Sequence, residues 1–156
     1  MTRFAAATEV PVERSRAEIE RLVSRYGATG FAYMHATGKA VIVFEMAQRR
    51  IMFELPLPRR DDKRFTQSEH RKRMRSPEQA LAAWEQACRQ AWRALRLVIQ
   101  AKLEACESGI CSFEDEFLAH IVLPDGQTVS QHVRPRIAAI YSGEKMQPLL
   151  PGPRPS

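Results

Sequence analysis

Apolar residues recur at helical spacing near the start of the chain and then alternate at strand spacing. Ser15 and Glu18 have the spacing of a capping box, which predicts a helix that begins at Ser15 and ends at Gly27. The chain before Pro11 is expected to form a loose arm. The apolar side of this helix is predicted to consist of Ile19, Leu22, Val23 and Tyr26.

Three stretches of alternating apolar and polar residues follow, separated by two short turns. The turns Thr37-Gly38 and Ala47-Gln48 predict an antiparallel meander of three strands. Pro56 and Pro58 end the third strand, because proline has no N–H to donate to a neighbouring strand. The side chains expected in the core are Phe44, Ile51 and Phe53. Phe31 and Tyr33 share a face with His35 and are also expected in the core; the alternative is that this face is exposed and forms a platform for stacking on bases.

A long helix is predicted after residue 76. Ser76, Pro77 and Gln79 form a strong helix start, and Gly109 marks the end, so the helix has about nine turns. Its length exceeds what three short strands can cover. Part of its apolar stripe is therefore expected to pack on C-terminal helices or on a second copy, which would make a homo-oligomer through the long helix. The apolar stripe contains Leu81, Trp84, Cys88, Ala91, Trp92, Leu95, Val98, Ile99 and Leu103.

The last third of the chain has two further helix starts. Ser112 with Asp115 predicts one helix, and Thr128 with Gln131 predicts a second. Pro135 should kink the second helix or delay its start, because it removes a backbone hydrogen bond. The apolar residues expected in the first of these helices are Phe113, Phe117 and Ile121.

These elements predict an α+β fold. A three-stranded antiparallel meander is packed by a short N-terminal helix and a long central helix, with a helical C-terminal extension. Residues 1–142 are expected to form a single domain, in which residues 1–11 are the arm and residues 58–76 a basic loop. Residues 143–156 are expected to form a Pro-rich extended tail.

Composition excludes several classes of protein. No apolar run approaches the ~20 residues of a membrane span, and the N-terminus lacks the apolar core of a signal peptide, so a cytoplasmic location is expected. Cys88, Cys106 and Cys111 have neither zinc-site nor disulfide spacing and are expected to be reduced. The chain contains no phosphate-binding glycine loop and no recognised catalytic motif, which predicts a non-enzymatic protein without a cofactor.

The net charge of +6 is concentrated in one segment. Eight of the 24 Lys and Arg residues lie between positions 59 and 75, together with three of the 18 acids. Clustered cations favour an anionic partner, above all nucleic acid, and the alternative is a solvated loop or pairing with acids elsewhere. Phe65 and His70 in this segment are candidates for stacking on bases. The predicted phosphate contacts are Arg59, Arg60, Lys63, Arg64, Arg71, Lys72, Arg73 and Arg75.

Three further arginines extend this prediction onto the long helix. Arg89, Arg93 and Arg96 lie at three- and four-residue spacing and would continue the basic surface. The alternative is that nearby acids, such as Glu85, offset their charge. Trp84 and Trp92 could stack on bases but are expected to lie in the core.

A cluster of acids leaves a metal-dependent enzyme as a further hypothesis. Glu116 and His120 are four residues apart, a spacing at which a carboxylate and an imidazole on one helix can share a divalent metal. Acids at a helix start are also explained by capping and by the helix dipole. The other acids near this pair are Glu104, Glu107, Glu114 and Asp115.

The order helix, three antiparallel strands, helix resembles that of double-stranded-RNA-binding domains and is similar to the core of phage single-strand annealing proteins. This chain departs from the first family, because Ala36–Lys39 replaces its strand-connecting loop motif and Arg71–Arg73 precedes rather than begins the long helix. The segments RALRLVIQAKLEACESGI and FEDEFLAHIVLPDGQTV also resemble small bacteriophage and prophage proteins that have no assigned activity. The latter resemblance implies a viral accessory role.

The sequence therefore predicts a non-catalytic protein that binds DNA or RNA through its basic loop. The alternative is a protein-protein interaction module or inhibitor that acts on a host nucleic-acid-handling or defence complex. In both cases no membrane partner is expected.

Overall fold

The computed structural model describes residues 8–68 and 73–153. The fold is α+β, as predicted. In chain order the elements are α1 (Val12–Arg25), β1 (Gly30–Ala36), β2 (Lys39–Met46), β3 (Arg49–Pro56), α2 (Lys63–Thr66), α3 (Pro77–Glu107), α4 (Phe113–Phe117), a 3-10 turn (Leu118–His120) and α5 (Val129–Tyr141).

The sheet is an antiparallel meander in the order β1-β2-β3. The Ala47-Gln48 turn has positive φ at both residues (51° and 60°), the arrangement that joins tightly paired strands. Phe44 pairs with Phe31 on one side and with Ile51 on the other, so alternate side chains from all three strands share one face. This is the face that α1 and α3 cover.

One hydrophobic core lies between the sheet and the helices. The predicted core residues Phe44, Ile51 and Phe53 are all buried. Tyr33 and His35 are exposed, so their predicted core position is wrong, because β1 is the outer strand and the helices cover it incompletely. The helix side of the core contains Ile19, Leu22, Val23, Trp92, Leu95, Ile99, Leu103 and Phe117.

The structure corrects two predicted helix boundaries and confirms the predicted start of a third helix. Helix α1 begins at Val12, one turn before the predicted start, because the Ser15 N–H already donates to the Pro11 carbonyl at 3.1 Å. Ile121 is outside α4 and forms a β-bridge with Ile51. Helix α5 begins directly after Thr128, where a complete capping box forms, so Pro135 does not delay its start.

The long helix α3 is confirmed in full, with a complete Ser76 and Gln79 capping box and Gly109 at a φ of +76° beyond its end. Within the described part of the chain, no helix combines the length and apolarity needed to cross a bilayer. The three cysteines are free, and Cys88 is buried on the apolar side of α3, as predicted.

Candidate nucleic-acid interface

The described parts of the basic segment (residues 59–75), residues 59–68 and 73–75, contain regular backbone structure. After β3 the chain forms the short helix α2, and then Gln67 and Met74 form an antiparallel bridge. Backbone hydrogen bonds on either side join Ser68 N–H to the Arg73 carbonyl at 2.9 Å and Arg75 N–H to the Thr66 carbonyl at 2.7 Å. The backbone directly after α2 is therefore paired antiparallel with the backbone directly before α3. Arg71 and Lys72 lie outside the described residues, as does His70.

Two contacts anchor the segment to α3. Phe65 of α2 is 4% exposed and packs toward α3. The Trp84 indole N–H donates to the Pro58 carbonyl at 2.8 Å, which holds the start of the segment. The prediction that Phe65 stacks on bases is wrong, because the short helix turns this ring inward. Trp84 is half-buried instead of fully buried, because part of its side chain lines a surface cleft beside α1.

Two predicted phosphate contacts have acid neighbours within the segment. Arg59 pairs with Asp61 at 3.2 Å, and Arg64 pairs with Asp62 at 3.3 Å. Asp62 also caps α2 by accepting a hydrogen bond from the Arg64 backbone N–H at 3.1 Å. Solvent-exposed pairs of this kind contribute at most about 1 kcal/mol, so an incoming phosphate could compete for these arginines at little cost.

The other described cations of the segment have no carboxylate within ion-pair distance among the described residues. Arg60, Lys63 and Arg73 are exposed. The Arg60 guanidinium lies 5.5 Å from the centre of the Trp84 ring, a cation–π contact that leaves its charge unneutralised. Arg75 is half-buried and donates to the Phe65 carbonyl at 3.5 Å, so it also supports the fold of the segment.

The predicted arginine stripe on α3 faces α1. Arg93 and Arg96 both pair with Glu18, at 2.7 Å and 3.2 Å, and their side chains are mostly buried at 26% and 20% exposure. Arg89 donates twice to the Gln86 side-chain oxygen. Arg93 and Arg96 therefore tie α3 to α1. A single sequence does not reveal this, because Glu18 is 75 residues away from Arg93.

The Glu18 carboxylate is stabilised by these arginines. Burial acts to raise the pKa of Glu18, but hydrogen bonds from Arg93 and Arg14 and the charges of Arg93 and Arg96 together outweigh it. The net result is a pKa below the usual value for a glutamate. Because the folded pKa is depressed, the ion pairs stabilise the fold above the ordinary carboxyl pKa, and this contribution is lost as the pH falls through the folded pKa.

We expect Glu18→Gln to lower the free energy of unfolding at pH 7 by about 1–3 kcal/mol, because it leaves two poorly solvated guanidinium groups without their anion. The difference from wild type should shrink as the pH falls below the ordinary glutamate pKa of about 4.3, because the depressed pKa of Glu18 is then approached and the wild-type carboxylate also becomes protonated. Chemical denaturation across this pH range measures both effects. Glu13→Gln is the matched control, since Glu13 is exposed on the same helix and has no described ion pair. An equal loss in both variants would contradict a specific role for Glu18.

The acids near the end of α3 are separated by their packing. Glu116 pairs with Lys102 at 3.1 Å, whereas His120 stacks on Phe53 with ring centres 3.9 Å apart. Burial and, to a smaller extent, Lys102 lower the pKa of His120. Helix α4 ends at Phe117, before His120. Glu116 and His120 therefore do not share the helical face that the metal hypothesis required. Among the described residues no group of three metal-ligating side chains is found.

An aromatic cleft of about 490 Å³, which the sequence did not predict, lies between the start of α1, the end of β1 and the first half of α3. Tyr33 contacts Trp92 edge-to-face in this cleft, and the Arg16 guanidinium lies 4.1 Å from the centre of the Tyr33 ring. Glu13 and Glu85 also line the cleft. Its charge is therefore mixed, and it does not extend the basic surface.

A second feature not predicted is an apolar groove of about 900 Å³ along the outer side of α3. The 56–58 turn forms one wall, and Arg59 and Arg64 of the basic segment lie at its rim. The sequence signal for this groove is the recurrence of small residues at three- and four-residue spacing on α3. The floor is formed by Ala87, Ala91, Ala94, Leu97, Val98 and Ala101.

Comparison of the chain with protein-family models, with curated proteins and with solved structures finds no match. The geometry of the chain's own residues must therefore carry the functional argument.

Proposed function

We propose that this protein binds nucleic acid without catalysis, through phosphate contacts made by the basic segment. The observation that carries the proposal is the state of Arg60, Lys63 and Arg73. These three cations are exposed, have no described carboxylate partner, and lie on backbone that is anchored to α3 at Phe65 and Trp84. Uncompensated cations on an ordered support favour a polyanion, because binding neutralises their charge and orders little of the chain.

The chemistry of the segment favours phosphate over a single carboxylate. An arginine side chain presents a planar fork of N–H donors that matches two phosphate oxygens, and several cations at separate points suit a repeating backbone charge. Contacts of this kind position a protein on nucleic acid without reading its bases. The proposed binding is therefore strongly dependent on salt and modest in sequence preference.

The proposed interface differs from the predicted one on α3. Arg93 and Arg96 neutralise Glu18 and are mostly buried, so we assign them a supporting role. Arg59 and Arg64 join the interface by exchanging their weak acid pairs for phosphate. The proposed phosphate contacts are thus the cations of residues 59–75, including Arg71 and Lys72.

Fluorescence anisotropy at low salt tests this proposal. Labelled oligonucleotides of about 20 nucleotides, offered as single-stranded DNA, duplex DNA and RNA, should all bind. The affinities for duplex and for single strand should differ less than the affinities at low and at high salt. The proposal fails if none of the three binds at about 50 mM salt.

One observation supports a second candidate function, that of a protein-protein interaction module. The groove on the outer side of α3 is apolar along its floor, and its rim contains Arg59, Arg64 and Asp62, the acid that pairs with Arg64. Such a groove suits an amphipathic helix whose acidic residues pair with the arginines at the rim. Under this hypothesis the helix belongs to a nucleic-acid-handling complex that this protein inhibits. Under this alternative the wild-type protein would bind its protein partner but not nucleic acid. Ala94→Lys, which places a charge in the groove, would abolish binding to the partner.

A further inference from the structure

The two edge strands of the sheet differ in whether another part of the described chain pairs with their outer side. At the β3 edge, Ile121 forms a bridge with Ile51, and the Val122 N–H donates to the Arg50 carbonyl at 2.8 Å. β1 pairs with β2 along one side, and no strand of the described chain pairs with its other side. The β1 edge therefore presents unpaired backbone donors and acceptors.

β1 lacks the devices that usually protect such an edge. Its seven residues, GFAYMHA, include no Lys, Arg, Asp, Glu or Pro, and its register with β2 continues without a bulge from Gly30 to Ala36. Tyr33 is 43% exposed and Met34 is 58% exposed. A regular, uncharged and partly apolar edge is a template for another strand.

The flank of α1 above this edge carries a complementary pair of charges. Arg16 lies over Tyr33, the middle residue of β1, and Glu20 is one turn further along the helix. Each is two residues from Glu18 and hence about 200° around the helix from the carboxylate that meets Arg93 and Arg96. Among the described residues neither Arg16 nor Glu20 has an ion-pair partner.

We infer that β1 pairs with β1 of a second copy of this chain, antiparallel and about a two-fold axis near Tyr33. The pairing joins two three-stranded sheets into one of six strands. The same axis passes between the levels of Arg16 and Glu20 on α1 and places the two α1 helices antiparallel, so that Arg16 of each copy faces Glu20 of the other. A second copy is the occupant that fits, because an acid and a base one turn apart complement themselves when the helix is reversed.

The expected dimer is of moderate strength. Seven residues of β1 give a contact about 24 Å long, and α1 is of similar length at about 21 Å. An interface formed by one strand and one helix of each copy has an area at the small end of the range for specific interfaces. We therefore expect a dissociation constant on the order of micromolar. This inference does not depend on nucleic-acid binding.

Sedimentation velocity over a concentration series from about 1 to 200 µM tests it. The wild type should convert from monomer to dimer. Met34→Lys should weaken dimerisation by about tenfold or more, because lysine on an edge strand opposes pairing and two copies meet there. Ala94→Lys, which places the same charge in the groove of α3, should leave the dimer intact.

A charge exchange tests the proposed geometry. Arg16→Glu and Glu20→Arg should each weaken the dimer by about five- to tenfold, because each change creates two like-charge contacts across the axis. The double variant should recover most of the wild-type affinity. The inference is overturned by a monomeric wild type, by loss of the dimer in Ala94→Lys with retention in Met34→Lys, or by a double variant no better than the single ones. Thermal melting of each variant confirms that it is folded.

Discussion

Replacing Arg60, Lys63 and Arg73 together with Glu should lower the affinity for nucleic acid by about 100-fold or more at moderate salt. Each change removes a cation that has no described carboxylate partner and places an anion near the phosphate backbone. Loss of about three phosphate contacts should also reduce the slope of log K against log salt by about three. The three side chains are exposed, so the fold should be retained. Anisotropy titrations at several salt concentrations measure both quantities.

A variant of the same net charge separates location from overall charge. Arg21, Arg25 and Arg134 are exposed on α1 and α5, outside the basic segment, and have no ion pair within the described structure. Changing these three to Glu should weaken binding by less than about tenfold, since side chains on other elements make no phosphate contact in the proposed interface and salt screens their charge. Equal loss in the two variants would contradict an interface on residues 59–75 and would attribute binding to net charge alone.

Phe117→Ala should produce the largest loss of stability of any change considered, about 3–5 kcal/mol. Phe117 is fully buried and makes edge-to-face contacts with Phe44 and Phe53, with ring centres 6.2 and 6.3 Å away. It also stacks on Phe113 at 4.7 Å. Removing the ring leaves a cavity where the C-terminal segment meets the sheet. The melting temperature should fall by about 6–20 °C.

The next residue supplies the control for this prediction. Leu118 is 48% exposed, so Leu118→Ala should change the free energy of unfolding by less than about 1 kcal/mol. A single cooperative transition is expected for the wild type, because Phe117 belongs to the same core as the sheet. Separate unfolding of the C-terminal helices, with the sheet unaffected by Phe117→Ala, would show that this segment is not part of the core.

Elements with strong local signals could be predicted from the sequence. Alternating residues and short turns specified the meander, and Ser76, Pro77 and Gln79 specified the start of α3, because these determinants lie within a few residues of the structure they produce. The α1 start was misplaced, since Ser15 and Glu18 have a capping-box spacing that the structure does not use. Glu18 instead meets α3, a contact that local pattern does not encode.

The position of the candidate site in the chain could be predicted from the sequence, but the contacts made by each of its side chains could not. Charge density along the chain identified residues 59–75, because clustering is a property of the sequence itself. The state of each cation depends on contacts across the fold, as with Arg93, whose partner is Glu18 on another helix. Phe65 was misassigned for the same reason, since α2 turns its ring toward α3.

The salt dependence of nucleic-acid binding tests the central claim most directly. Anisotropy titrations of the wild-type protein on one labelled oligonucleotide, between about 50 and 300 mM salt, give the slope of log K against log salt. If the basic segment neutralises phosphates through Arg60, Lys63, Arg73 and their neighbours, the slope should be about −3 or steeper. Binding with a slope near zero, or no binding at the lowest salt, would contradict the proposal.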